Sequence, residues 1–362
     1  MRYVIIGAGA IGGVLAARLA QHSADNTPQH PPIVVARGEH GAAIARDGIR
    51  LRSFDADVTV PVEIASGPDA LRLRADDVLV VTTKTQDVQA ALGQWVDAPV
   101  FDADGAMVGT AGHLLPLFTA TNGVASERIA LRYFARVFGV VVWLPAVRLD
   151  PGEIILRIGP ASGEFIIGRY PEVSSEVPLS AADAELLRTL ETDWTAATFV
   201  VHVVDDVMRW KYAKLLGNLG NSIQALVGPV DGAGELADRV RAEALEVYAA
   251  AGIDHASEGE ERAWRRDHFR IHKVPGEPAT MGGSSWQSLA RGSGSIESDY
   301  LNGEIAVMAR TVGRSAPLNA TLQRVAREAA KSGAGAGSMT LAELEAQLEA
   351  ELAAQPAAQL EP

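Results

Sequence analysis

The sequence predicts an α/β fold, with an N-terminal Rossmann-like doubly wound sheet followed by an all-helical C-terminal domain. Three observations carry this. A short apolar run, "RYVII" (2–6), leads into the glycine turn "GAGAIGG" and then into the helical "VLAARLAQ". Further apolar runs of strand length recur to about residue 170, separated by turns and helical stretches. From Asp205 the hydrophobic spacing is helical almost throughout. Strands alternating with helices form a parallel sheet covered on both faces.

Each element has a local reason. "RYVII" is short and apolar, as a strand buried on both faces requires. "HSADNTPQHPP" (22–32) is polar and proline-containing, a loop. Strands are expected over 33–37, 58–64, 76–84 and 116–123. "FGVVVWL", "GEIILRIG" and "GEFIIGRY" follow as antiparallel strands extending the same sheet. "SAADAELLRTLETDW" (180–194) opens on a serine N-cap and keeps helical spacing. "TFVVHVV" (198–204) is the last strand. The expected domains are therefore 1–200 and 201–334, with 335–362 an acidic, flexible tail. "KSGAGAGS" reads as a linker, and the acidic helix after it as a frayed end, with docking to a partner as the alternative.

Composition narrows the function. The 362 residues hold no cysteine, which excludes disulfides, thiolate metal sites and a catalytic thiol. No metal site is expected. A net charge of -13 argues against nucleic acid as the main partner. No run is long and apolar enough to span a bilayer. The start lacks a cleavage site behind an apolar h-region, so a soluble, cytoplasmic protein is expected. The oligomeric state stays open, a homodimer included.

Gly7-Ala8-Gly9-Ala10-Ile11-Gly12 matches GxGxxG between a strand and a helix. Gly7 permits the tight turn, Gly9 lets backbone approach a pyrophosphate, and Gly12 lets helix pack on strand. The free N–H groups of the helix start attract the phosphates. The second strand ends in Arg37 rather than an acidic residue, with Glu39 just beyond. An arginine there pairs with a 2′-phosphate, which points to NADP. Two other strand ends matter, because open α/β sheets bind ligands there. "VVTTKTQD" puts Lys84 at one, and "TATNGVAS" puts Asn122 at the other, for the nicotinamide ribose or the substrate edge.

The stretch "KYAKLLGNLGNSIQAL" (211–226) gathers residues that are rare in this chain. Lysine occurs only at 84, 211, 214, 273 and 331. Lys214, Asn218 and Asn221 fall at i, i+4 and i+7, one face of a single helix. A nicotinamide reductase needs a proton donor within reach of a carbonyl oxygen, and lysine serves where arginine cannot. Lys214 is the donor expected, with Asn218 and Asn221 beside it to hold substrate oxygens. Lys211 fits less well, because its i+4 neighbour is Leu215. A polar stripe facing water is the plainer reading of that helix. In "GGSSWQSLARGSGSIESDYLNGEI" (282–305), Ser284 and Ser285 precede a short helix and can bind a carboxylate. Glu297 and Glu304 follow on the next element, and a glutamate near Lys214 can orient a substrate hydroxyl.

Taken in order, "GAGAIGG", Arg37, "KTQD", "TNG", "KLLGN" and "SSWQ…GSIESDYLNG" resemble the ketopantoate reductase (2-dehydropantoate 2-reductase) family over roughly 1–330. The resemblance implies NADPH-dependent reduction of a 2-keto acid in the cleft between two domains. It implies Lys214 as general acid and Asn218 on the substrate's oxygens. It places a serine of "SSW" on the carboxylate, and Glu297 near the substrate hydroxyl or the nicotinamide ribose. Lys84 and Asn122 would line the junction of cofactor and substrate. The chain departs from the family pattern at Ser222, Trp286 and Ser288. The alternatives are an opine-type imine reductase on the same scaffold and a non-catalytic NADP-binding sensor.

Overall fold

Side chains alternate across a strand, and strand Arg2–Ile6 is apolar after its second residue. In the computed structural model, which describes residues 1–25, 30–174, 178–265, 269–278 and 282–354, this alternation feeds two cores. Tyr3, Ile5, Val78 and Val80 join one apolar cluster; Val4, Ile6, Leu79 and Val81 join the other. Such a sheet needs a helical layer on each face. Along the first 200 residues the described helices are α1 (Ala10–Asp25), α2 (Gly38–Asp47), α3 (Thr85–Trp95), α4 (Ala111–Leu114), α5 (Ser126–Ala130) and α6 (Ala181–Ala196). Val14 and Leu15 of α1 and Leu190 and Trp194 of α6 fill the first core. Val88, Leu92 and Trp95 of α3 fill the second. Ser180 caps α6, its hydroxyl accepting the Asp183 N–H at 3.0 Å.

The eight-stranded sheet runs Val200–Val203, Glu164–Tyr170, Arg136–Trp143, Pro116–Thr119, Asp77–Val81, Arg2–Ile6, Ile33–Val35, Glu63–Ala65. Neighbours are parallel except Arg136–Trp143 with Glu164–Tyr170. Three expectations need correction. The single strand over 58–64 is two: Asp57–Val60 pairs with Ile49–Arg52 in a second sheet, and Glu63–Ala65 edges the main one. Pro61 between them has no N–H to donate and interrupts the ladder. Glu153–Leu156 also belongs to the second sheet, parallel to Ile49–Arg52. It packs on α1, where a Cβ at Gly13 would stand 2.0 Å from Ile154 Cδ1. Helix α1 itself runs to Asp25, into the loop expected over 22–32; residues 26–29 of that loop lie outside the described ones.

The chain divides into two units: Met1–Lys211 with His255–Glu277, and Tyr212–Asp254 with Pro278–Pro362. The division falls inside α7 (Val207–Asn218) rather than at residue 200. After it come α8 (Asn221–Val227) and α9 (Ala233–Ala251). The next segment breaks the expectation of helices throughout. Helix α10 (Glu258–Arg265) is followed by strand Phe269–Ile271, which pairs with Ile158–Pro160 of the first unit. The Trp264 ring stacks on His202 and Trp210, with centroids 4.4 and 3.9 Å away. The second unit closes with α11 (Ser284–Ala290), α12 (Asn302–Thr311), α13 (Pro317–Ser332) and α14 (Leu341–Ala354). The last lies within the tail expected from 335. Leu344 and Leu348, one turn apart, are 0% and 1% exposed, and Glu349 pairs with Arg239 at 2.7 Å. Residues 355–362 lie outside the described ones.

A buried ion pair fixes the start of α7, up to Lys211, in the first unit. Lys211 Nζ donates to Glu127 Oε1 and, at 3.3 Å, to the Thr121 carbonyl. The two residues are 2% and 0% exposed. Thr119 Oγ1 donates to the same carboxylate oxygen at 2.6 Å. Removing one partner strands the other charge in a low dielectric, at a cost of about 3–5 kcal/mol. Lys211→Met should therefore lower the urea-unfolding free energy by that amount, and adding Glu127→Gln should recover much of it. A Lys211→Met protein as stable as the wild type would contradict the pair. In the second unit, Leu344→Ala should cost about 2–5 kcal/mol; unchanged unfolding would mean that α14 is not docked.

Candidate functional site

The glycine loop is built around positions where a side chain does not fit. Gly7 has φ +114°, in the left-handed region that favours glycine. Its N–H donates to the Val35 carbonyl at 3.1 Å, and its own carbonyl accepts from Thr82 Oγ1 at 2.6 Å. A Cβ on Gly12 would stand 2.0 Å from the Gly7 oxygen and 2.3 Å from Thr82 Oγ1. At Gly9 a Cβ would meet nothing within 4 Å. Backbone there borders open space at the start of α1, where unpaired N–H groups and the helix dipole favour an anion. The loop fits a pyrophosphate. Ala8 is buried, and Ala10 and Ile11 pack against the core, so these three have only backbone to offer a ligand.

Arg37 stands exposed at the N-cap position of α2. One turn on is a residue that the motif reading passed over. His40 contacts the Ala8 carbonyl through Nε2 at 2.6 Å, and its Nδ1 accepts the Gly152 N–H at 2.9 Å. The backbone donor makes Nδ1 the acceptor, which leaves the proton on Nε2 for Ala8. The only signal in the sequence was a histidine at the entry of the helix that carries Arg37.

Lys84 and Asn122 end the two strands that follow Arg2–Ile6 across the sheet. Lys84 is half-buried at the N-cap position of α3. Thr85 Oγ1 donates to the Asn122 carbonyl at 3.0 Å, tying one strand end to the next. The Asn122 turn is fixed on its other side by Lys211 on the Thr121 carbonyl and by Thr121 Oγ1 on Ser126 Oγ at 2.7 Å. Lys211, the weaker donor candidate, is thus a structural cation. Thr83 Oγ1 is buried without a hydrogen-bond partner.

In the second unit, Lys214 and Asn218 lie one turn apart on α7, both half-buried. The helix does not continue to Asn221. It breaks at Leu219–Gly220, and Asn221 starts α8, so the i+7 spacing does not put it on the Lys214 face. The break is held by Asn302, whose Nδ2 donates to the Leu219 carbonyl at 3.1 Å while Oδ1 accepts from Ser222 at 2.7 Å. Asn221 instead stands beside the serine segment, its Oδ1 3.6 Å from where a Gly283 Cβ would be. Gln224 of α8 accepts the Gly283 N–H at 2.8 Å. Gly282 makes room for Trp286, whose Cγ would be 2.4 Å from a Cβ there. Ser284 is half-buried. Ser285 is 1% exposed, and its hydroxyl has no hydrogen-bond partner; Asn218 Nδ2 is buried in the same condition. Glu297 is 4% exposed on a 3₁₀ turn. Its motif neighbours are structural: Asp299 accepts from Gln323 and Arg327, and Gly303 leaves room for Gln323.

Comparison with known proteins bears on the family and the fold. The chain is 29% identical over 343 residues to the 2-dehydropantoate 2-reductase of Mesorhizobium japonicum, covering 88% of this chain and 94% of that protein. The PanE/ApbA family ketopantoate reductase of Ralstonia eutropha superposes with a TM-score of 0.69 at 23% identity, covering 92% and 99%. D-mandelate dehydrogenase, solved with NADH and anilino(oxo)acetate, superposes with a TM-score of 0.71 at 17% identity, covering 92% and 99%. At those identities the two structures speak for the fold alone. Residues 3–172 match the ketopantoate reductase PanE/ApbA family and residues 206–330 match its C-terminal domain, so the chain belongs to the ketopantoate reductase family.

Proposed function

We propose that the chain reduces a 2-keto acid with NADPH, with 2-dehydropantoate as substrate and pantoate as product. One observation carries the reading. Two buried polar atoms of the second unit, Asn218 Nδ2 and Ser285 Oγ, lack hydrogen-bond partners. A folded protein rarely leaves such groups unsatisfied without a role for them. The oxygens of a keto acid supply the acceptors they need.

A bound nicotinamide dinucleotide supplies the hydride. The backbone at Gly9 and the start of α1 hold its pyrophosphate, and Arg37 takes the 2′-phosphate. Lys84 and Asn122 line the nicotinamide end. Lys214 gives its proton to the carbonyl oxygen as the keto carbon is reduced, and its charge stabilises the alkoxide that forms. Asn218 donates an N–H to the substrate's oxygens without adding charge, and Asn221 stands beside the serine segment. Of Ser284 and Ser285, the unsatisfied hydroxyl favours Ser285 for the carboxylate. Glu297 orients the substrate hydroxyl or the nicotinamide ribose. A second reading, another 2-keto acid, is favoured by Trp286, whose indole is braced on Gly282 beside that serine.

Purified protein should oxidise NADPH with 2-dehydropantoate alone. A requirement for an added amine would support the imine reductase instead, and binding without turnover on a keto-acid panel would support the sensor. Lys214→Ala should lose about 10²–10⁴-fold in turnover and keep its NADPH affinity; undiminished turnover would remove Lys214 from the mechanism. Arg37→Ala should raise the KM for NADPH about 10–100-fold, the worth of a charged hydrogen bond, and leave that for NADH unchanged. Equal loss for both dinucleotides would rule out a 2′-phosphate contact.

A further inference from the structure

The Ala8–Gly9 peptide sits at the tip of the glycine loop, and the orientation of that peptide decides where the Gly9 N–H points. A trans peptide is planar, with its carbonyl and N–H directed oppositely. Fixing the carbonyl therefore fixes the N–H. His40 supplies the fixing contact, with Nε2–H on the Ala8 carbonyl at 2.6 Å and Nδ1 taking the Gly152 N–H at 2.9 Å. We propose that His40 is a positioning residue for the dinucleotide, orienting the Ala8–Gly9 peptide so that its N–H meets the pyrophosphate.

The inference rests on the reading of the loop as a dinucleotide site and adds to it a residue outside the glycine motif. Three features of the surroundings support it. A Cβ at Gly9 would meet nothing within 4 Å, so the loop is open on that side and a ligand can approach its backbone. The ring is locked in one tautomer by two backbone groups of opposite polarity. Burial holds the imidazole below its ordinary range; the Ala8 hydrogen bond opposes this, and the nearby Arg148 charge adds to it. The neutral ring is the form that the two contacts require.

Histidine's two nitrogens can be replaced separately. Glutamine places an amide N–H near the Nε2 position and keeps the donor to Ala8. Asparagine places a carbonyl near the Nδ1 position and keeps the acceptor for Gly152. Titration of the purified apoprotein with NADPH, followed by nucleotide fluorescence, reads binding without turnover. His40→Asn and His40→Ala should bind NADPH about tenfold more weakly than the wild type, and His40→Gln within about threefold of it. A purely structural bridge predicts the reverse order for Gln and Asn, because Asn preserves the tie to the Gly152 turn. Asn binding as tightly as the wild type, or Gln binding as weakly as Asn, would overturn the proposal while leaving the dinucleotide reading intact. A wild-type protein that binds neither NADPH nor NADH would overturn both.

Discussion

Gly12 has no room for a side chain, and most of the first unit follows from that one approach. The start of α1 lies so close to the Gly7 carbonyl that a Cβ would reach to 2.0 Å. With the helix drawn in this far, Gly13 faces the second sheet and accepts Ile154 in the same way. The turn preceding Ile154 contains Gly152, whose N–H reaches His40, and the His40 ring reaches the Ala8 carbonyl. Packing thus runs from the glycine loop through α1 and the second sheet and returns to the loop. Two successive carbonyls are held by side chains, Gly7 by Thr82 and Ala8 by His40. Each bond is worth only about 1 kcal/mol net, yet together they hold two successive peptides of the loop, as the proposed phosphate site would require.

The second unit uses buried amides where the first uses close backbone contact. Ser222, Asn302, Asn319 and Glu243 form a continuous chain of hydrogen bonds. Asn302 reaches back to the Leu219 carbonyl at the break after α7, and Glu243 accepts the N–H groups of Leu318 and Asn319 at the start of α13. Burial raises the Glu243 pKa, opposed by the bonds from Asn319 and Leu318. A network that is satisfied throughout specifies one arrangement of its helices. Here it specifies where α7 stops, and so how Asn218 and Asn221 are separated.

The parts of the fold legible in the sequence are those whose cause is local. The glycine loop is legible because its requirements act within six residues. The strands Arg2–Ile6 and Asp77–Val81 are legible because burial on both faces leaves an unbroken apolar run. What escaped depends on distant partners. Glu153–Leu156 has the same apolar pattern whichever sheet it joins, and its place against α1 needs the room that Gly13 leaves for Ile154. Helix α10 is strongly charged and is kept on the first unit by Trp264 stacking on His202 and Trp210 and by Glu260 on Arg209. The docking of helix α14 was hidden by its acidic composition, although Leu344 and Leu348 already stood one turn apart. His40 belongs to no glycine motif, and its acceptor is 32 residues away in sequence.

The clustered polar residues of 211–222 show how motif and structure divide the work. Lys211 and Lys214 are three residues apart with the same chemistry, yet a carboxylate 84 residues away claims Lys211 as a core cation. Ser222 is consumed by Asn302. Both have protein partners that account for their burial, so neither needs a ligand to explain it. Asn218 differs. Its amide nitrogen is buried and unsatisfied, although asparagine is a poor helix former whose amide competes with the backbone. The fold bears the cost of the residue and obtains no internal bond from that nitrogen. The proposed keto-acid substrate offers that nitrogen an acceptor, and the contrast sets Asn218 apart from Lys211 and Ser222 without reference to any motif.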